Sequence, residues 1–251
     1  MFDVNTVPVY IFSNEERTTD LCIYSYEKLG FTSINLISGK DSFREKYIRF
    51  AKHAVDSEFD YFIRTDADLI VFDGIYDTLK ICKPGKDRWI EGKYFDYFMN
   101  RRRGGTPHII PKKAVEVLSA NPGLMLESKK PETGFGKYLR DNKLVSFKSV
   151  DALTSLHEFE QYPSKVCNSF LNRLKRGHMH LYDFKYINAN IPSCYVNALS
   201  LAFEVFKSKD FDHADSMKYL DFSSLDIGFE KIDEKDIPHT YNELKKIYLS
   251  V

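Results

Sequence analysis

The sequence predicts an α/β fold, with a mainly parallel central sheet flanked by helices and a largely helical, irregular C-terminal extension. Three observations predict it. Apolar runs of strand length alternate with helical-period stretches from Val7 to Phe72, the pattern of right-handed strand–helix–strand crossovers. The third of these strands ends in Thr65-Asp66-Ala67-Asp68, where an open sheet places its ligands. From Glu158 onward the alternation gives way to sequence rich in Lys, Asp and Ser. The expected organisation is a first unit over residues 1–157 and an extension over 158–251 packed on it.

The elements follow in order. Val7 to Phe12 is a strand, and polar Ser13-Asn14-Glu15-Glu16-Arg17 is the loop after it. Thr18-Thr19-Asp20 can cap a helix that runs to Leu29, with Gly30 as its stop. Ile34 to Ile37 is a second strand. Asp41-Ser42 caps a helix over 43–55 whose Phe43, Tyr47, Phe50, Ala51 and Ala54 share a face. Tyr61 to Ile63 is the third strand, and Leu69 to Phe72 returns under cover. Arg88 to Met99 has strand-like content broken by Gly92, and Asn100 to Thr106 reads as a basic, glycine-bearing loop. His108 to Ile110 is a strand, and Pro111 opens a helix over 112–119. A further helix starts at Pro131-Glu132, and a strand covers 144–150.

Asp66 and Asp68 repel one another unless a cation neutralises them. Oxygen ligands suit a hard divalent cation, Mg²⁺ or Mn²⁺, whose open positions a diphosphate can fill. A second acidic triplet, Asp210-Phe211-Asp212, has no apolar strand before it.

Composition bounds the partners. The 251 residues are 43% hydrophobic with 20 Phe and 16 Tyr, enough for a sizeable core. Formal charge balances at 36 basic and 36 acidic residues, so the basic excess of a dedicated nucleic-acid binder is missing. Cys22, Cys82, Cys167 and Cys194 are widely spaced and form no C-x-x-C pair, which predicts free thiols in a reducing compartment. No basic, apolar leader opens the chain, and no run approaches the roughly 18 apolar residues of a membrane span. The expected location is the cytoplasm, with peripheral membrane contact left open.

With these residues in hand, the sequence resembles a GT-A-fold glycosyltransferase of the large family 2. The marks are the V-P-V-Y-I-F strand with its polar loop, T-D-A-D after a third strand, Glu132 before a helix, and His157 after the following strand. The resemblance covers about residues 5 to 160. It implies that residues 1–157 bind a nucleotide-sugar, that D-x-D holds metal and donor, that Glu132 is the general base, and that His157 completes the metal shell. Thr133 stands where that family has the Asp of its E-D pair. Asp68 is then the first choice for direct coordination, with Asp66 on the ribose or a metal-bound water. A metal there stabilises charge on the leaving diphosphate. Imidazole slightly favours Mn²⁺ over Mg²⁺, and His178 and His180 rival His157. By position, Arg17 suits a phosphate or stacking on a base and Asp41 suits the ribose or base; Arg64 and Arg101-Arg102-Arg103 are further phosphate candidates. The expected substrates are a nucleoside-diphosphate sugar, UDP by family frequency, and a hydroxyl acceptor such as a glycan or glycolipid of surface polysaccharide or lipopolysaccharide.

Four rivals stand beside this reading. A haloacid-dehalogenase-type phosphohydrolase also uses D-x-D, but would follow it with Gly-Thr rather than Leu69-Ile70. A nucleotidyltransferase would carry a Gly-rich loop near its start, where Ser13-Asn14-Glu15-Glu16 has no glycine. A nucleic-acid binder would use the arginine run with Trp89, Tyr94, Phe95, Tyr97 and Phe98. A glycosyltransferase acting on modified DNA bases bridges the readings.

Overall fold

The computed structural model describes residues 6–125, 131–175, 191–208 and 221–251. The expected α/β architecture is present. The chain runs β1 (Val9–Ser13), α1 (Thr19–Lys28), β2 (Ile34–Ser38), α2 (Phe43–Ala54), β3 (Tyr61–Asp66) and β4 (Leu69–Val71). It continues α3 (Ile75–Leu79), β5 (Arg88–Asp96), β6 (Arg101–Pro111), α4 (Lys112–Ala120), α5 (Pro131–Asp141) and β7 (Ser146–His157). The helices α6 (Pro163–Lys175), α7 (Ser193–Ser208) and α8 (Ile237–Ser250) follow.

The seven strands among the described residues form one sheet in the order β2-β1-β3-β6-β5-β7-β4. β1 pairs parallel with β2 and β3, and β5 pairs parallel with β7. β6 runs against both β3 and β5, and β4 against β7. The block β2-β1-β3 is wholly parallel, and the rest of the sheet is mixed.

The expected loop at Asn100–Thr106 is instead the first half of β6. Asp96 pairs with Arg101, Phe95 with Arg102 and Tyr94 with Arg103 in an antiparallel ladder. The ladder satisfies backbone groups that a glycine-rich loop would leave to water. The register then slips, from Gly92 opposite Gly105 to Glu91 opposite His108. This bulge sits at Thr106-Pro107, where proline has no N–H to donate.

Period-2 alternation sends β1 and β3 into two cores. Val9, Ile11, Tyr61 and Ile63 join α1, α3 and α8 on one face. Tyr10, Phe12 and Phe62 join α2, α4 and α5 on the other. Ser42 caps α2 by accepting from Glu45 N–H while the Glu45 carboxylate accepts from Ser42 N–H, a reciprocal capping box. Thr18 precedes α1 without a side-chain cap bond. Phe98 and Met99, from the β5–β6 turn, anchor a third cluster with α6 and α7. No helix among the described residues is long and apolar enough to cross a membrane.

Candidate active site

Asp66 is the last residue of β3, and Asp68 lies in the two-residue link to β4. Pairing of Leu69 with His157 at the end of β7, with Glu158 N–H donating to Asp68 O at 3.1 Å, fixes His157 beside that link. His157 Nε2 is 3.3 Å from Asp68 Oδ2. Thus Asp66, Asp68 and His157 gather at the C-terminal end of β3. Asp68 Oδ1 and His157 Nδ1 are both buried without a hydrogen-bond partner among the described residues.

Asp66 is held by Arg64, two residues back on the same face of β3, at 2.5 Å. Arg64 is 1% exposed. Its guanidinium lies 4.7 Å from the ring centres of Phe12 and Phe43 and 5.2 Å from Tyr47, a cation–π cage that suits a desolvated arginine. It also reaches Glu132 Oε1 at 3.5 Å. Burial pushes the Asp66 carboxyl up to about 6, with Asp68 and Glu132 adding to the rise and Arg64 opposing it. Arg64 is therefore an anchor for two carboxylates.

Glu132 is crowded with donors. Its Oε1 is 2.8 Å from His108 Nδ1 and accepts from Tyr47 Oη. Burial works against its charge, but His108 and Arg64 outweigh that and hold it far below the usual carboxylate range. A carboxylate so stabilised is a weak proton acceptor.

A charged network continues behind His157. Burial disfavours its imidazolium, yet Asp68 and Glu158 carry its pKa up to about 9. Burial likewise opposes the charge on Asp68, and His157 keeps its carboxyl below the usual value. Arg173 of α6 contacts Glu158 at 2.7 Å and Asp96 at 3.4 Å, and Arg103 reaches Asp96 at 3.2 Å. Asp96, His157 and Glu158 present ligand atoms within 4.8 Å of one another. Arg173 and Arg103 already neutralise that inner pair of carboxylates, whereas Asp68 Oδ1 is left for a cation; His157 Nδ1 faces Glu158 Oε2 at 3.8 Å.

The loop after β1 closes the other side. Lys46 is 2% exposed; it donates to Ser13 O at 2.6 Å and to Asn14 Oδ1. Lys165 of α6 donates to Asn14 O at 2.7 Å. Burial raises the Glu16 carboxyl, and the nearby Asp68 adds to it. None of Lys46, Lys165, His108, Asp96, Glu158 or Arg173 stood out in the sequence. Lys46 had one signal: it lies four residues before Phe50 on the core-facing stripe of α2.

The remaining expected residues are engaged elsewhere. Arg17 donates to Glu160 Oε2 at 2.8 Å and to Glu230 O at 2.7 Å. It lines a cavity of about 450 Å³ shared with Lys231, Asp233 and Asp236. Asp41 pairs with Arg49 at 2.5 Å. Arg102 donates to Val251 O at 2.5 Å. Trp89, Phe95 and Phe98 are buried in the cores and offer no stacking platform. His178, His180, Asp210 and Asp212 lie outside the described residues.

No protein-family model matches the chain, and no curated protein matches it. Among solved structures it is similar to a glycosyltransferase involved in the glycosylation of the major capsid of PBCV-1, at 12% identity and a TM-score of 0.43, over 60% of this chain and 93% of that one. It is similar to A197 from STIV at 14% identity and 0.41, over 60% and 84%. It is also similar to the bifunctional IspDF from Campylobacter jejuni at 12% identity and 0.38, over 58% and 49%.

Proposed function

We propose that this chain is a metal-dependent glycosyltransferase of GT-A-like build, moving a sugar from a nucleoside-diphosphate sugar to a hydroxyl acceptor. The observation that carries the reading is Asp68 Oδ1, buried without a hydrogen-bond partner among the described residues beside Asp66 at a strand end. A buried polar atom without a partner is costly, and a divalent cation held by the two aspartates would satisfy Asp68 Oδ1. Asp66, Asp68 and His157 would hold Mn²⁺ or Mg²⁺. When bound, the cation would supply Lewis-acid stabilisation of a departing diphosphate.

The chain's own residues have defined parts in this reading. Arg64 fixes the direction of the Asp66 carboxylate. Lys46 and Lys165 shape the loop at Ser13 and Asn14, which borders the site and suits the nucleotide. Glu16 faces Asp68 and adds negative charge that favours a cation. UDP is the nucleotide we assign, with a glycan or glycolipid acceptor.

A thermal-shift panel tests this. UDP, GDP, CDP and dTDP are each added with and without Mn²⁺ to wild type and Asp68→Ala. At a hundredfold excess over the dissociation constant, a ligand specific for the folded state stabilises it by about 2.7 kcal/mol. A metal-dependent rise with one nucleotide, absent in Asp68→Ala, is the expected result. No shift with any nucleotide on folded wild type rejects the reading.

A further inference from the structure

The face of the sheet beneath α5 changes character along its length. At one level Phe62 pairs with Ile110, and Trp89 pairs with Phe147, an apolar row. Two residues further along, Arg64 pairs with His108, His108 with Glu91, and Glu91 with Ser149. Paired residues point to the same side of a sheet, so this second row is a polar strip. Beyond it the bulge brings Thr106 Oγ1 to 3.4 Å from Asp66 Oδ2, so the strip runs up to the carboxylates. It is open to solvent at Asp66, Glu132 and Glu91, which are 33%, 29% and 39% exposed.

His108 sits in the middle of this strip, and its two ring nitrogens face different partners. Nδ1 is 2.8 Å from Glu132 Oε1. Nε2 has Glu91 Oε2 at 3.9 Å, beyond hydrogen-bond length. An ionised Glu132 accepts from Nδ1–H, which leaves the lone pair on Nε2. A carboxylate that accepts from one ring nitrogen, and so orients the other toward a substrate, is the arrangement of a general base. Glu132 itself is poorly suited to that role, because His108, Arg64 and Tyr47 all stabilise its charge.

We propose that His108, oriented by Glu132, is the general base that deprotonates the acceptor hydroxyl; this rests on the transferase reading above. In the step, the acceptor O–H proton passes to His108 Nε2. The acceptor oxygen forms a bond to the anomeric carbon while the bond from that carbon to the phosphate oxygen breaks. The electron pair of that bond leaves with the nucleoside diphosphate. Glu132 lies 2.8 Å from Nδ1 and Glu91 3.9 Å from Nε2, with the Arg64 guanidinium on the neighbouring strand; the ring then gives its proton to solvent. The acceptor accordingly lies over the β6–β5 strip, on the His108 side of Asp66.

The experiment compares the full chain with His108→Gln and His108→Ala, each with Mn²⁺. UDP-glucose, UDP-galactose, UDP-N-acetylglucosamine and GDP-mannose are the donors, with water as the acceptor, and nucleoside diphosphate release is the readout. Thermal shift by the free nucleotide is measured alongside. The proposal expects release to fall about 100-fold or more in both variants, the nucleotide shift to persist, and added imidazole to restore part of the release in His108→Ala. Release within about threefold of wild type, with the shift intact, overturns the base assignment and leaves the transferase reading standing. Loss of the nucleotide shift in His108→Gln also overturns it, since His108 would then act on binding. A wild-type chain that binds a nucleotide but releases none from any donor overturns it too. A wild-type chain that binds no nucleotide removes the transferase reading, and the base with it.

Discussion

Asp68 and His157 are 89 positions apart in the chain and meet at 3.3 Å because backbone pairing of β4 with β7 puts them side by side. The contact is thus set by a strand register rather than by flexible side chains. Asp68→Asn should keep the fold, since the amide is isosteric, yet lose the metal-dependent nucleotide shift. Asp66→Asn should retain part of that shift. Equal loss in both variants, measured by thermal shift with Mn²⁺ and nucleotide, would contradict the assignment of Asp68 as the principal ligand.

Arg64 is the buried charge on which the site is built. Arg64→Met strands Asp66 and Glu132 together without their shared cation. The expected destabilisation is about 3–5 kcal/mol, as for a broken buried ion pair. Arg64→Lys should cost less but not be neutral, because an ammonium cannot stack on Phe12, Phe43 and Tyr47 as a guanidinium does. Urea midpoints at constant slope read both differences.

Glu132 gives a signed pH dependence. Its carboxyl is held below its ordinary value of 4.5 in the fold. Its charge therefore stabilises the folded state fully above the unfolded value, and that stabilisation is lost as pH falls below 4.5 toward the folded value. Glu132→Gln should be less stable than wild type at pH 7, and the gap should narrow as the pH is lowered below 4.5. A gap that widens in acid would show that the ion pairs with His108 and Arg64 are not its cause.

Lys46 ties the loop after β1 to α2. Lys46→Met removes the donor from Ser13 O and Asn14 Oδ1, at a cost of about 1–3 kcal/mol. The nucleotide shift should weaken as well, because the loop bordering Asp68 loses its anchor. A variant of lower stability with an unchanged nucleotide dissociation constant would confine Lys46 to a structural part.

Gly74, between β4 and α3, touches the backbone of β7. A Cβ there would stand 1.8 Å from Leu153 O and 2.8 Å from Tyr248 Oη. Gly74→Ala must push the β4–α3 turn away from β7, with an expected loss of about 1–3 kcal/mol. Because β4 and β7 also set the Asp68–His157 contact, the same variant should bind the metal–nucleotide pair more weakly.

The sequence by itself determined the α/β class and the run of elements from β1 to β4, because alternation of apolar and helical-period segments is a local signal. It also placed Asp66 and Asp68 at a strand end, through the apolar residues on either side of them, and the cap of α2 at Asp41-Ser42, of which Ser42 is the capping residue. Tertiary structure decided what no local pattern carries. Asn100–Thr106 reads as a loop from its arginines and glycines, and it is a strand only because β5 lies beside it. Glu132 reads as a helix-start acid, and its partners Arg64, Tyr47 and His108 come from three other elements. His108 itself is one residue in an apolar strand until register sets it between Glu132 and Glu91. Side-chain chemistry is written in the chain, but which groups share a proton or a cation depends on register and packing between segments far apart in sequence.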